Sequence, residues 1–364
     1  MAKQRGGAVA GLNRVLLTAE ATAGLWRYSL ELARGLVRAG VEPVLAVLGP
    51  PPPAEMAAQA SGIAGLRVIA TGLPGEAAAE MEGDLRASGA ALAGLASRIA
   101  ADTVHLHTLA LAAEVPWSMP VVAVAHADVG TWWRAVHGGA PPEHLAWRSA
   151  AVARGLAEAD AVVAPSRGFA RALGRVYRPG RTIAVVPYGC ARAIVPPCRR
   201  RPAVLAAARL WDDGKNIGVL DRAAGQLDAP VFAAGRVDGA ARFARLTCLG
   251  PLSAPALALR MAEASVFAAP SRYAPFGLAV LEAAQAGMAL ALADTAIFRE
   301  LWEGAALFFH PDDAGALADV LNRLLAQPEA AAARAHRQAE RYSAAAMVAA
   351  TLALHRPLAD RRAA

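Results

Sequence analysis

The residues best suited to chemistry lie in the second half of the chain. There Pro270-Ser271-Arg272-Tyr273-Ala274-Pro275-Phe276-Gly277-Leu278-Ala279-Val280-Leu281-Glu282 follows an apolar run. Val266–Ala269 reads as a strand feeding a turn. Pro275 falls where a helix is expected to begin, since its fixed φ suits a first turn and its missing donor costs nothing there. The amides of Phe276, Gly277 and Leu278 would then point outward at the positive end of the helix dipole, ready for a phosphate or a polar sugar face. Gly277 would let a ligand approach the backbone closely. Glu282 lies further along the helix among small side chains, where a carboxylate can accept hydrogen bonds from both hydroxyls of a ribose-like diol. From position 274 to 282 the rise is at most ~12 Å, about the length of a sugar-diphosphate-ribose unit. By spacing alone, the same residues also make an ordinary strand–turn–helix unit.

A second group is Ala208-Arg209-Leu210-Trp211-Asp212-Asp213-Gly214-Lys215-Asn216, ahead of a helix beginning near Ile217. Lys215 is one of two lysines in the chain, the other being Lys3. A flexible ammonium and a planar guanidinium near a strand's carboxyl end suit a diphosphate, and a solvated surface loop would use the same residues. In the first half, Thr18–Tyr28 leads from a strand into an amphipathic helix with Gly24 near its start. One glycine also fits a plain helix start. Val121–Ala125 reads as a buried strand ending in His126, which can donate a hydrogen bond into a cleft or serve as a structural histidine. His105 and His107 close another strand. Trp132 and Trp133 are expected in a loop, to stack on a sugar or to pack in the core.

These residues need a scaffold that brings strand ends together. Strand candidates in the first half are Arg14–Thr18, Val44–Leu48, Leu66–Ala70, Thr103–His107, Val121–Ala125, Asp160–Ala164 and Thr182–Pro187. Helical patterns lie between them, beginning with Gly24–Ala39. Val195–Pro202, with three prolines and an arginine run, breaks the alternation. It then restarts at Ala203–Ala207, Pro230–Ala234, Arg245–Leu249, Ser265–Ala269 and Ala289–Leu292, with Ala314–Leu325 a further helix. Such alternation implies parallel βαβ units. The expected fold is α/β, with two Rossmann-like, doubly wound parallel-sheet domains facing across a cleft. The division is placed at 1–195 and 196–340. Residues 341–364 form a C-terminal helix placed to pack back on the first domain.

Length and composition agree. The 364 residues suit two domains of roughly 150–200 residues each. The 56% apolar content is swollen by alanine, which implies many helices with the larger side chains gathered in strands. A net charge of +7 comes almost wholly from scattered arginines, without any nucleic-acid-binding signature. Cys190, Cys198 and Cys248 are too irregularly spaced for a disulfide framework or a zinc site, and reduced thiols in the cytoplasm are expected. Met1–Ala23, with Lys3, Arg5, Asn13, Arg14 and Glu20, lacks a clean apolar stretch of the signal-peptide kind. No run of 18 apolar residues predicts a spanning helix, so any membrane contact would be peripheral. No Gly-X-Gly-X-X-Gly follows Arg14–Thr18, which argues against a dinucleotide oxidoreductase.

The Pro270–Glu282 segment resembles the signature of glycosyltransferase family 4, the group 1 glycosyltransferases, whose pattern is Glu-Pro-Phe-Gly-Leu followed by a Glu in a helix. The likeness runs from about Arg14 to Leu325 and is more specific in the C-terminal half. It implies the GT-B fold and stereochemistry-retaining transfer from a nucleotide-diphosphate sugar, with no metal and no cofactor beyond that donor. In the family the second Glu contacts the ribose, and Glu282 matches it. The first contacts the donor sugar, and here Ala274 stands in its place. Arg209 and Lys215 match the pair that clamps the donor phosphates. Ala23-Gly24 replaces the usual Gly-Gly, and His126 matches a histidine that binds the sugar or acceptor. The implied partners are a nucleotide sugar and an acceptor glycan, lipid or small molecule, with no nucleic acid. A degenerate, non-catalytic nucleotide-sugar binder is the alternative, favoured by Ala274 and Ala23.

Overall fold

The computed structural model describes residues 11–76, 78–113, 115–238 and 243–363. Lys3, Arg5 and the rest of the first ten residues lie outside them. Two all-parallel sheets form the chain's framework. The first has the order β3-β2-β1-β4-β5-β6-β7. Its members are β1 (Arg14–Glu20), β2 (Glu42–Leu48), β3 (Arg67–Ala70), β4 (Thr103–Leu106), β5 (Val121–Val124), β6 (Ala161–Ala164) and β7 (Ala184–Val185). The second has the order β10-β9-β8-β11-β12-β13. It comprises β8 (Arg201–Ala207), β9 (Val231–Ala234), β10 (Thr247–Gly250), β11 (Ala264–Ala269), β12 (Ala289–Ala293) and β13 (Leu307–Phe309). In each, the chain first winds one way and then restarts on the other side of the opening strand. The crevices at these reversals, β1/β4 and β8/β11, are where a parallel sheet accepts ligands, because adjacent loops diverge there.

Composition entered the strands differently from expectation. Ala-Leu-Ala-Leu-Ala forms the wholly buried β12, and Ala-Ser-Val-Phe-Ala-Ala the wholly buried β11. A strand covered by helices on both faces needs no alternation, and alanine there lets helices approach the sheet closely. Boundaries also moved: the seventh strand contracts to Ala184–Val185, and Leu307–Phe309 adds an edge strand beyond those expected. Trp132 and Trp133 belong to a helix, Val129–Val136, whose N-cap Asp128 accepts from the Thr131 amide; they are not in a loop. That Asp-X-X-Thr cap was the overlooked signal.

The path between the sheets runs through Val186–Arg200 without regular structure. The last helix, Ala344–Ala363, returns to the first sheet's side. Its His355 pairs with Thr103 Oγ1 at 2.7 Å and with His105 Nδ1 at 3.0 Å. Its Val348 packs so tightly on Gly35 of the first helix, Ala23–Arg38, that a Cβ there would lie 2.2 Å from a Val348 methyl. No described helix is long and apolar enough to cross a membrane.

Candidate active site

The loops that follow β8 and β11 flank the second sheet's reversal point and are tied to one another. Tyr273 N donates to Gly214 O at 3.1 Å, and Asn216 Nδ2 to Pro270 O at 3.1 Å. Lys215 Nζ donates to Tyr273 O at 2.9 Å. This brings Lys215 to the turn that opens the helix Leu278–Gln285, termed the donor helix below. Burial lowers the Lys215 ammonium to about 8, with Asp212 opposing that fall and Arg209 adding to it. A cation so desolvated gains on meeting an anion.

Arg209 is half exposed and paired with Asp212 Oδ2 through Nη2 at 2.5 Å. Asp212 is buried and also accepts from Gly214 N at 2.9 Å and from Trp132 Nε1 at 3.0 Å. Although burial opposes it, the Arg209 guanidinium and these donors hold the Asp212 carboxyl below its ordinary range. Asp212 therefore positions the arginine and reaches across to the first domain. In sequence, an Asp two residues from a Gly looks like any turn, and only the fold gives Asp212 this role.

The donor helix begins later than expected. Pro275 is not at its first turn; the helix starts at Leu278, and Gly277 is its N-cap with φ +92°. That left-handed conformation favours glycine, and an added Cβ would meet Phe298 Cε1 at 3.0 Å. Phe276 is buried, with its ring 5.0 Å from Tyr188 and 5.3 Å from Tyr342. It anchors the turn. The amides lacking intrahelical acceptors are accordingly those of Leu278 and Ala279, since Val280 N and Leu281 N donate to Gly277 O. Pro275 O accepts from Ser166 Oγ of the first domain at 2.8 Å. Ala274 is buried, its methyl part of the apolar core.

Glu282 faces the first domain from the second turn of the donor helix. Its Oε1 lies 2.7 Å from Nη1 of Arg27, on the first domain's opening helix. Burial raises the Glu282 carboxyl, and Arg27 opposes the rise. Gly24 lies three residues before Arg27, hence on the same helix face, with open space around its Cα.

His126 sits at the end of β5, and its Nδ1 hydrogen-bonds the Tyr188 hydroxyl. Its ring lies 4.9 Å from those of His107 and Tyr28. The Nε2 atoms of His107 and His126 are both covered and without hydrogen-bond partners. Burial lowers His126 to about 3, so the ring is neutral throughout the ordinary working range. Ser29 Oγ donates to Leu25 O at 2.8 Å, so it accepts from His107 Nδ1–H at 3.2 Å. Trp132 turns its indole N–H toward Asp212, and Trp133 packs on Trp132 and His137.

The two domains are thus in contact around one cleft. From the second domain, Glu282, Asp212 and Pro275 make the contacts, and Arg209 and Lys215 lie close to Asp212. From the first domain, Arg27, Trp132 and Ser166 meet them, whereas His126 contacts Tyr188, Tyr28 and His107 and Gly24 lies in open space. Glu300 adds a clamp at the rim by accepting from Arg167 N and Gly168 N at 2.8 and 2.6 Å.

Paired doubly wound domains with cations and a helix N-terminus at the second reversal point define a GT-B protein. Two family models match: Glycosyltransferase Family 4 over residues 22–191, and Glycosyl transferases group 1 over residues 244–342. The chain belongs to this family of glycosyltransferases. Among solved structures it is similar to a sucrose-phosphate synthase from Thermosynechococcus elongatus, with 18% identity and a TM-score of 0.74, covering 94% of this chain and 98% of that one. The Anabaena protein HepE, solved in complex with UDP and glucose, is 17% identical with a TM-score of 0.71, covering 94% and 100%. A glycosyltransferase from Rickettsia africae is 16% identical with a TM-score of 0.69, covering 94% and 98%. At such identities the likeness establishes the fold. No curated protein matches the chain in sequence.

Proposed function

We propose that the protein transfers a sugar, with retention at the anomeric carbon, from a nucleotide-diphosphate donor to an acceptor hydroxyl, without a metal and in the cytoplasm. The observation that carries this reading is the bond from Lys215 to Tyr273 O in the turn that opens the donor helix, with Arg209 near enough to act on its charge. Arg209 and Lys215 would grip the diphosphate together with the amides of Leu278 and Ala279, taking up charge as the leaving group departs. Two fixed cations and a helix end can neutralise a diphosphate as a divalent metal does elsewhere. The similarity to a protein solved with UDP and glucose supports a nucleotide sugar as the donor.

Glu282 would hold the ribose hydroxyls. His126, neutral and with Nε2 unpartnered, would hydrogen-bond the sugar. The acceptor hydroxyl would enter on the face the leaving phosphate vacates, giving up its proton to that phosphate. Closure of the first domain would exclude water. Ala274 supports a second reading, a nucleotide-sugar binder without turnover, because it removes a charged partner for a sugar hydroxyl.

A thermal-shift panel of nucleotide sugars, followed by transfer assays with the best one, separates these. A stabilising donor with an α-linked product from an α-linked donor supports retaining transfer. Stabilisation without transfer or donor hydrolysis supports the binder, and the absence of any shift overturns both.

A further inference from the structure

Arg27 has no part in the chemistry above, yet it is the one first-domain side chain seen in an ion pair with the donor helix among the described residues. Its Nη1 lies 2.7 Å from Glu282 Oε1, and its Nη2 donates to Ala191 O at 2.8 Å. Its side chain is 25% exposed and that of Glu282 16%, so the pair is largely withdrawn from water. The Ala191 bond ties the guanidinium to the chain that crosses between domains. Beside it, Gln285 Nε2 donates to Cys190 O at 3.0 Å, so of two adjacent crossover residues one is fastened to the donor helix and the other to the first helix.

We propose that Arg27 is a positioning residue for the donor's ribose. By bridging the cleft, it holds the Glu282 carboxylate oriented toward the diol and makes nucleotide binding depend on the first domain being docked. This rests on the donor reading above. The bridge engages Oε1, and a carboxylate has a second oxygen with which to accept a hydroxyl. Without Arg27 a carboxylate this buried would take up a proton more readily, since burial already pushes it upward and the guanidinium is what opposes that. A protonated carboxyl accepts less strongly and presents a donor of its own.

The groups around the pair are few. Glu31 on the first helix and Cys190 on the crossover act on Arg27, and the same burial pushes the Cys190 thiol up to about 12. From the helix packed behind the donor helix (Pro328–Ala339), His336 meets the Ala284 carbonyl and not the carboxylate. On the helix before β11, Arg260 and Glu263 pair with each other. Neither Glu31 nor Cys190 can replace the positive charge.

The test uses the full chain and calorimetric titration with UDP and GDP and their 2′-deoxy counterparts, from pH 6 to 9. For the nucleotide that binds, the native protein is expected to favour the ribo form by about tenfold or more, the size of one hydrogen bond to a charged group. Arg27→Met should weaken the ribonucleotide about tenfold near neutrality, shrink the ribo preference, and make affinity rise with pH relative to the native profile as Glu282 ionises. Glu282→Gln should lose a similar factor, and the double variant little more. Arg27→Lys, which keeps the charge if the Met variant does not fold, should retain the ribo preference. If the native protein binds neither these nor any nucleoside diphosphate sugar of the thermal-shift panel, the donor reading itself fails. If it binds and discriminates but the Arg27 variants keep the same affinity, preference and pH profile, Arg27 has no such role.

Discussion

Lys215 links donor binding to pH in a way that can be worked from its surroundings. Burial lowers its ammonium from 10.5 to about 8, so near pH 8 roughly half of the free protein carries that charge. A bound diphosphate would favour the charged form and return the pKa toward or beyond 10.5. The complex then holds about half a proton more than its separate parts at pH 8. Because the ligand raises the pKa, affinity is full below pH 8 and falls as pH climbs through it. Between pH 7 and 9 the dissociation constant should grow about tenfold, the ratio of the free protein's protonated fractions. Calorimetric titration of UDP or GDP in two buffers of different ionisation enthalpy measures both the uptake and the slope. Lys215→Met should weaken binding by about 10- to 150-fold at pH 7, from the loss of a charge-assisted bond of about 1.5–3 kcal/mol, and should remove the slope. Glu76, pushed by burial up to about 8 in the first domain, titrates in the same range. A dissociation constant that stays level from pH 7 to 9 in the native protein would refute the assignment of Lys215 to the diphosphate.

Three further substitutions probe the rest of the site. Ala274→Glu should raise the transfer rate by roughly one to two decades, the equivalent of about 1.5–3 kcal/mol, measured with the donor found by thermal shift; equal or lower turnover would show that the alanine is no loss. Gly277→Ala forces a side chain into φ +92° against Phe298. It should cost about 1–2 kcal/mol, a melting temperature a few degrees lower, and weaker nucleotide binding, and native-like values would contradict the turn described. Trp132→Phe deletes the indole bond to Asp212 at 3.0 Å while keeping the aromatic bulk. Stability in urea should fall by about 1–2 kcal/mol and donor affinity with it, whereas an unchanged denaturation curve would mean that the contact contributes nothing.

Much of this was legible before any coordinates. β-rich runs alternating with helical patterns, punctuated by Val195–Pro202, were enough for two doubly wound sheets, because the periodicity of buried positions is a local property of the chain. Arg209, Lys215 and Gly277 stood out because they follow strand ends, where such sheets expose their loops, and Glu282 because it lies in the helix that comes next. Pro275 misled because a proline before an apolar stretch usually opens a helix. Only a glycine in the left-handed conformation, two residues later, shows where the turn ends.

What the residues alone determined, then, was the kind of fold and which loops of the second half follow its strand ends. Tertiary structure alone decided which distant groups meet. Arg27 reaches Glu282 across 255 positions, Trp132 reaches Asp212 across 80, and His355 returns to His105 across 250. Such contacts leave no local pattern. They come from how two finished sheets dock, which is set by the summed shape of many buried side chains and not by any short stretch of sequence.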